Sequence, residues 1–231
     1  MPSFDALRPF GLSERDTVLR RFMPWPRFKA LLETQTLYFA SASAFDDKRE
    51  GHPTNLDERE RERLLRTHGF NATQLAMATE ADSATAAHNQ AATVVSCWTV
   101  ELADNNRMWK EYGRLDEAVM VETTVGRLLD CLGEDFLIVH VQYIDIECDR
   151  IPHGHSLFPF FFKDKSYDWE KEVRIIADMD LGAKVGTAGI VPVRLEDLVT
   201  RVVVSPTAPD GFAEAVESIV EKVFQGSRLN V

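Results

Sequence analysis

The chain has 231 residues, 45% of them apolar and 27% charged, a balance that suits a soluble globular fold with a sizeable core. A formal charge of −11 works against nonspecific attraction to nucleic-acid backbones, and no apolar run is long enough for a membrane span. Cys97, Cys131 and Cys148 are odd in number and irregularly spaced, and the first residues lack the pattern of a secretion signal. Both features point to a reducing, cytoplasmic setting rather than a disulfide framework.

Residues 1–16 carry little pattern and are expected to form an arm. Residues 17–22 read as a short strand closed by Pro24 and Pro26. Phe28, Leu31 and Leu32 then recur at helical spacing up to Thr34. Arg20, Arg21, Arg27 and Lys29 form the basic cluster that precedes the acidic middle of the chain, and they offer an anion its most favourable charge. Residues 37–41, rich in aromatics, read as a second strand, followed by a loop of small and acidic residues from Ser41 to Asp47.

Residues 55–90 change character. The first part alternates Glu and Arg at helical spacing, and the second is rich in Ala and Thr, with Asn71, Asp82 or Ser83 as candidate caps. They are expected to form a helical insertion on the surface of one domain that spans 1–231. Interleaved Glu cancels the field of the Arg residues there and argues against nucleic-acid contact.

Residues 92–100 return to strand character, and Asp104 to Asn106 cap a short helix that carries Met108, Trp109 and Tyr112. A strand at 118–122, a helix at 125–132 and a central strand at 136–144 follow. Residues 151–162 are irregular, with an apolar patch at Phe158 to Phe162. The stretch Trp169-Glu170-Lys171-Glu172-Val173-Arg174-Ile175-Ile176 then alternates charged with other residues before it turns apolar. In extended chain, Glu170, Glu172 and Arg174 share one face while Lys171, Val173 and Ile175 share the other. Gly182 and Gly186 sit in a turn, 189–193 and 201–204 read as strands, and 210–224 reads as an amphipathic helix. Several strand spacings are too short for parallel crossovers, so an α+β fold is expected, with a mixed, largely antiparallel sheet flanked by helices.

The order of Leu19-Arg20-Arg21-Phe22, Leu37-Tyr38-Phe39 with Phe45-Asp46-Asp47, Ser96-Cys97-Trp98 to Met108-Trp109 and Tyr112, and Trp169-Glu170 with Glu172 and Arg174 resembles an uncharacterised bacterial domain family found in prophage and defence neighbourhoods. The likeness covers nearly the whole chain outside 55–90. It departs at Asp46-Asp47, where that family has Asn-Asp-Pro.

A second likeness bears on chemistry. Arg21, Ser41-Ala42-Ser43 and Glu170-Lys171-Glu172 are similar, in type and order, to the first-strand Arg, the Ser-x-Ser and the Glu-x-Glu of the ADP-ribosyltransferase superfamily. The resemblance implies a transferase that consumes NAD and moves ADP-ribose to a macromolecular acceptor, as a toxin or phage-defence effector, with no metal. Glu172 would stabilise the oxocarbenium-like ribose and Glu170 would act on the acceptor nucleophile. Arg21 would hold the pyrophosphate, Ser41 or Ser43 the ribose, and Tyr38 or Phe39 would stack on nicotinamide.

Two other readings stand beside it. A non-enzymatic protein-binding module would use Trp109, Trp169 and the Phe158–Phe162 patch, provided those rings are exposed. A metal-dependent nuclease would use Asp46, Asp47, Glu170 and Glu172. His140, Cys148, His153 and His155 lack the spacing of a zinc site, and Cys97 reads as core. The enzyme reading requires Arg21, Ser41 and Glu172 to meet around one hollow.

Overall fold

The computed structural model describes residues 7, 10–47, 49–113, 116–179 and 189–224. In chain order the elements are β1 (Val18–Pro24), α1 (Trp25–Thr34), β2 (Thr36–Tyr38), β3 (Ala40–Ser41), α2 (Asn55–Thr67), α3 (Ala72–Ala92), β4 (Thr93–Thr99) and α4 (Asn106–Met108). They continue as β5 (Ala118–Thr124), α5 (Val125–Leu132), β6 (Leu137–His140), β7 (Gln142–Ile144), β8 (Phe162–Asp164), β9 (Glu172–Asp178), β10 (Ile190–Pro192), α6 (Leu195–Leu198), β11 (Arg201–Val204) and α7 (Phe212–Val223).

The expected α+β architecture is present. Seven strands form one antiparallel sheet in the order β11-β5-β1-β4-β9-β6, with β3 added to β4. All seven residues of β9 are buried, because the strand is flanked by β4 and β6 and covered on both faces. Two small ribbons stand apart, β2 with β10 antiparallel and β7 with β8 parallel.

Strand alternation sorts the side chains onto two faces. One face carries Leu19, Val94, Trp98, Val121, Ile138, Val173 and Ile175, and α1, α5, α6 and α7 pack on it to form the main core. The opposite face carries two smaller clusters. One is built from Val95, Val139, Ile176 and the rings of Phe158, Phe160 and Phe161; the other from Phe22, Met108, Trp109 and Met120.

Several sequence expectations change here. Residues 37–41 are not one strand: β2 pairs with β10 and β3 with β4, while the Phe39 N–H between them donates to the Gly189 carbonyl. The 136–144 run also divides. Its first half, β6, lies at the edge of the large sheet rather than its centre, and its second half leaves to pair with β8. Asp82 and Ser83 lie inside α3, one continuous helix whose N-terminus is capped reciprocally by Asn71 and Gln74. Trp169 and Glu170 belong to a 3-10 helix, so β9 begins only at Glu172. In the expected arm, Leu7 is buried and Gly11 bridges to Val139. Gly182 and Gly186 lie outside the described residues.

Candidate functional site

The register of β9 places Glu172 opposite Thr99 and Arg174 opposite Cys97. Glu172 and Arg174 therefore share a face, at 5% and 1% exposure. Arg174 donates from Nε and Nη2 to the two Glu172 carboxylate oxygens, at 2.8 and 3.0 Å. Its Nη2 also reaches Glu50 at 2.6 Å, and its Nη1 donates to the Phe160 carbonyl at 3.0 Å.

Lys163 on β8 is the second cation. Its ammonium lies 2.6 Å from Glu170 and 3.4 Å from both Glu50 and Glu172, above the Tyr167 ring. Glu170 also accepts a hydrogen bond from the Tyr112 hydroxyl at 2.7 Å. Glu50, Glu170, Glu172, Lys163 and Arg174 thus make one buried network.

Local structure explains how each member arrives. Lys171 adopts a left-handed conformation, φ 43°, at the end of the 3-10 helix. The Thr99 hydroxyl donates to the Glu170 carbonyl at 2.6 Å, so the turn delivers Glu170 into the same space as the β9 side chains. Tyr112 projects from a π-helical turn, Trp109–Gly113, a local irregularity that often accompanies functional sites. Glu50 comes from the loop after β3, and Gly51 beside it has φ +83°. A Cβ there would stand 2.5 Å from the Phe160 ring, so both backbone and space require glycine. Gln90 of α3 donates to the Glu50 carbonyl at 2.7 Å, which ties the helical segment to the site.

The network separates the two neighbouring glutamates electrostatically. Burial alone would raise the Glu172 carboxyl, but Arg174 and Lys163 outweigh it and hold the group at about 2. For Glu170 burial wins over Lys163 and Tyr112, and its carboxyl rises above the usual range. Lys163 is held protonated: burial disfavours its charge, but Glu172 and Glu50 more than compensate. Burial raises the Cys97 thiol well above its ordinary value, with Glu172 reinforcing the shift, so Cys97 is held as a thiol rather than a nucleophilic thiolate.

A cavity of about 200 Å³ adjoins the network. Its lining includes the polar residues Glu50, Lys163, Tyr167, Asp47, Arg49 and His52 and the apolar residues Ile144, Ile151 and Phe162. A broader groove of about 870 Å³ lies near α5 and α6, but its lining ion pairs are exposed and it contains no buried ionic cluster.

The residues expected from the sequence do not all meet here. Glu170 and Glu172 do. Arg21 does not: it neighbours Arg20, which faces Thr99, and its own side chain turns to the opposite face and donates to Ser96 Oγ at 2.9 Å. Ser41 and Ser43 bond each other at 2.7 Å, and Ser41 Oγ caps the Ser43 N–H in a short 3-10 turn. The Tyr38 side chain is largely exposed, and its carbonyl accepts from Arg21 at 3.4 Å. The single hollow lined by Arg21, Ser41 and Glu172 is therefore absent, because strand alternation sends Arg21 and Glu172 to opposite sides.

Most rings proposed as a docking patch are buried: Phe158, Phe160, Phe161 and Phe162 lie in one apolar cluster and Trp109 in another, while Trp169 is half-buried with the Arg107 guanidinium 3.7 Å from its ring centre. Asp47 lines the cavity, while Glu170 and Glu172 are engaged by Lys163 and Arg174. His153 contacts Asp57 at 3.5 Å, and His155 Nδ1 accepts from the Leu157 N–H.

Glu50 and Lys163 are the members that sequence reasoning missed. Neither lies in a motif with Glu172. The one local signal was Arg49-Glu50-Gly51, an acidic residue ahead of a turn glycine. No family model, no curated protein and no solved structure matches the chain.

Proposed function

We propose that the chain is a NAD-consuming glycosyl-transfer enzyme, similar in chemistry to ADP-ribosyltransferases, with its centre at Glu50, Lys163, Glu170 and Glu172. One observation carries this reading. Among the described residues, three buried carboxylates face two cations beside a small cavity, which leaves an excess of negative charge fixed in a low-dielectric setting.

Such a charge favours a reaction that develops positive charge. When the nicotinamide–ribose bond breaks, its electron pair leaves with the ring nitrogen and the ribose becomes oxocarbenium-like. A preorganised carboxylate lowers that barrier without reorganisation. Glu50 is suited to the task because it belongs to the network and also lines the cavity. Glu172, held ionised by Arg174, positions that cation against Glu50.

The acceptor then attacks the ribose C1′, and a new bond forms as its proton departs. Glu170 takes that proton as general base, while Lys163 stays charged beside it. A carboxyl raised toward the working pH is the better proton acceptor for this step. The cavity has room for one planar ring, with Tyr167 and Phe162 on its walls, so the adenylate half of the dinucleotide extends beyond it.

The test uses NAD labelled in its adenylate half, with free nicotinamide and protein-bound label both counted. Wild type is expected to release nicotinamide. Glu50→Gln, with an unchanged melting profile, is expected to lose about 100-fold in rate, the scale on which a single preorganised electrostatic group acts. No release by folded wild type would overturn the reading, and an undiminished rate in Glu50→Gln would remove Glu50 from it.

A further inference from the structure

The two oxygens of Glu170 are held from different elements. Oε2 lies 2.6 Å from the Lys163 ammonium of β8, whereas Oε1 accepts from the Tyr112 hydroxyl at 2.7 Å. Lys163 is shared, since it also contacts Glu50 and Glu172. Among the described residues, the Tyr112 hydroxyl makes this one hydrogen bond. Tyr112 keeps 39% of its surface exposed and Glu170 keeps 3%, so the bond joins a surface ring to a buried acid.

An irregular turn brings Tyr112 there. Trp109 belongs to the apolar cluster with Phe22 and Met120, packs edge-to-face on Phe22 at 4.8 Å, and donates its indole N–H to the Ala103 carbonyl at 2.7 Å. In an α-helix residues three apart share a face, so Tyr112 would follow Trp109 toward that cluster. The wider π turn at Trp109–Gly113 separates the two and leaves Tyr112 on Glu170. Ring contacts then steady the arrangement. Trp169, next to Glu170 in the chain, lies 6.3 Å from the Tyr112 ring at a tilt of 31°, and it also carries the Arg107 guanidinium at 3.7 Å.

A carboxylate taken out of water binds its proton more readily. Burial has that effect on Glu170 and Glu172 adds to it, while Lys163 and the Tyr112 hydroxyl favour the ionised form. Glu50, Tyr143 and Tyr167 are the other titratable groups that stand around this pair. Because Lys163 is divided among three carboxylates, Tyr112 is the donor that acts on Glu170 alone.

We propose that Tyr112 is a positioning residue of the carboxylate site: its hydroxyl fixes the plane of Glu170 and keeps that group ionised, ready to accept a proton, despite its burial. The part this plays in turnover rests on the glycosyl-transfer reading above, in which Glu170 is the base. The hold on Glu170 does not.

The test labels glutamate with 13C at the side-chain carboxyl and follows the Glu170 signal by NMR against pH, the signal being identified by its loss in Glu170→Gln. Tyr112→Phe deletes the hydroxyl and keeps the ring against Trp169, so the melting midpoint is expected to change little. Its Glu170 is expected to bind a proton about 10-fold more tightly than in wild type, the weight of one hydrogen bond to a charged group. Fluorotyrosine incorporated in place of tyrosine makes the phenol a stronger donor and is expected to move the titration the opposite way. A Glu170 titration that neither change moves would overturn the proposal, whether or not the chain acts on NAD. Nicotinamide release is then measured against pH in wild type and Tyr112→Phe. The acid limb is expected to move to higher pH with the plateau nearly kept, whereas a rate lowered evenly at every pH would show a merely structural role and overturn the part in turnover. No release by either protein would contradict the glycosyl-transfer reading, and the titration alone would then decide the role of Tyr112.

Discussion

Arg174 shows what a single side chain holds together. It donates to both Glu172 oxygens and to Glu50 Oε2, and it also satisfies the Phe160 carbonyl. Arg174→Met removes the partner and leaves buried carboxylates facing apolar groups. Breaking a buried pair in this way costs about 3–5 kcal/mol. Urea denaturation is expected to show a loss of that size with an unchanged slope. A loss below about 1 kcal/mol would mean that water already screens the pair. The Glu172–Arg174 pairing was readable in the sequence, because strand alternation alone puts residues two apart on one face. Glu50 and Lys163 were not readable. Their approach depends on the Gly51 bend and on β8 joining β7, both settled by contacts far apart in the chain.

At the scale of elements, local signals served best where a cap or a periodic face decided the outcome. α1 and α7 follow their apolar spacing, and Gly133 ends α5 as a turn glycine would. Longer apolar runs misled. The 37–41 and 136–144 stretches have strand propensity throughout, yet each divides between two sheets, since pairing partners rather than propensity fix where a strand stops. α3 illustrates the opposite case. It buries few side chains, namely Leu75, Ala86 and Ala92, so its first turn depends on the Asn71–Gln74 capping box. Asn71→Ala is expected to cost about 1 kcal/mol, seen as faster amide exchange in that turn. Unchanged exchange would show that packing alone holds the helix end. Because Gln90 near the other end of α3 holds the Glu50 backbone, this helix connects to the site as well as to the surface.

At the scale of the molecule, the sheet separates two kinds of interior. One face is apolar and covered by helices; the other holds the ionic network near its smaller clusters. The network makes stability depend on pH in opposing ways. Glu172 is depressed to about 2 from an ordinary 4.5, so its contribution is present above pH 4.5 and is lost as pH falls toward 2. Glu170 is raised, so its contribution is present below its ordinary value and is lost as pH rises through its folded value. The stability difference between wild type and Glu172→Gln is therefore expected to shrink between pH 4.5 and 2.5 in denaturant titrations. A difference that stays constant across that range would contradict the ionised state assigned to Glu172. No helix among the described residues is long and apolar enough to cross a membrane.

The most direct measurement is the initial rate of nicotinamide release from NAD by wild type, Glu50→Gln and Ser43→Ala, each first confirmed to be folded. Ser43 belongs to a turn outside the network, whereas Glu50 lines the cavity. The expected result is release by wild type and Ser43→Ala at similar rates, with Glu50→Gln slower by about 100-fold. Loss of release in Ser43→Ala while Glu50→Gln keeps the wild-type rate would contradict the assignment, and would move the chemistry away from the buried carboxylates.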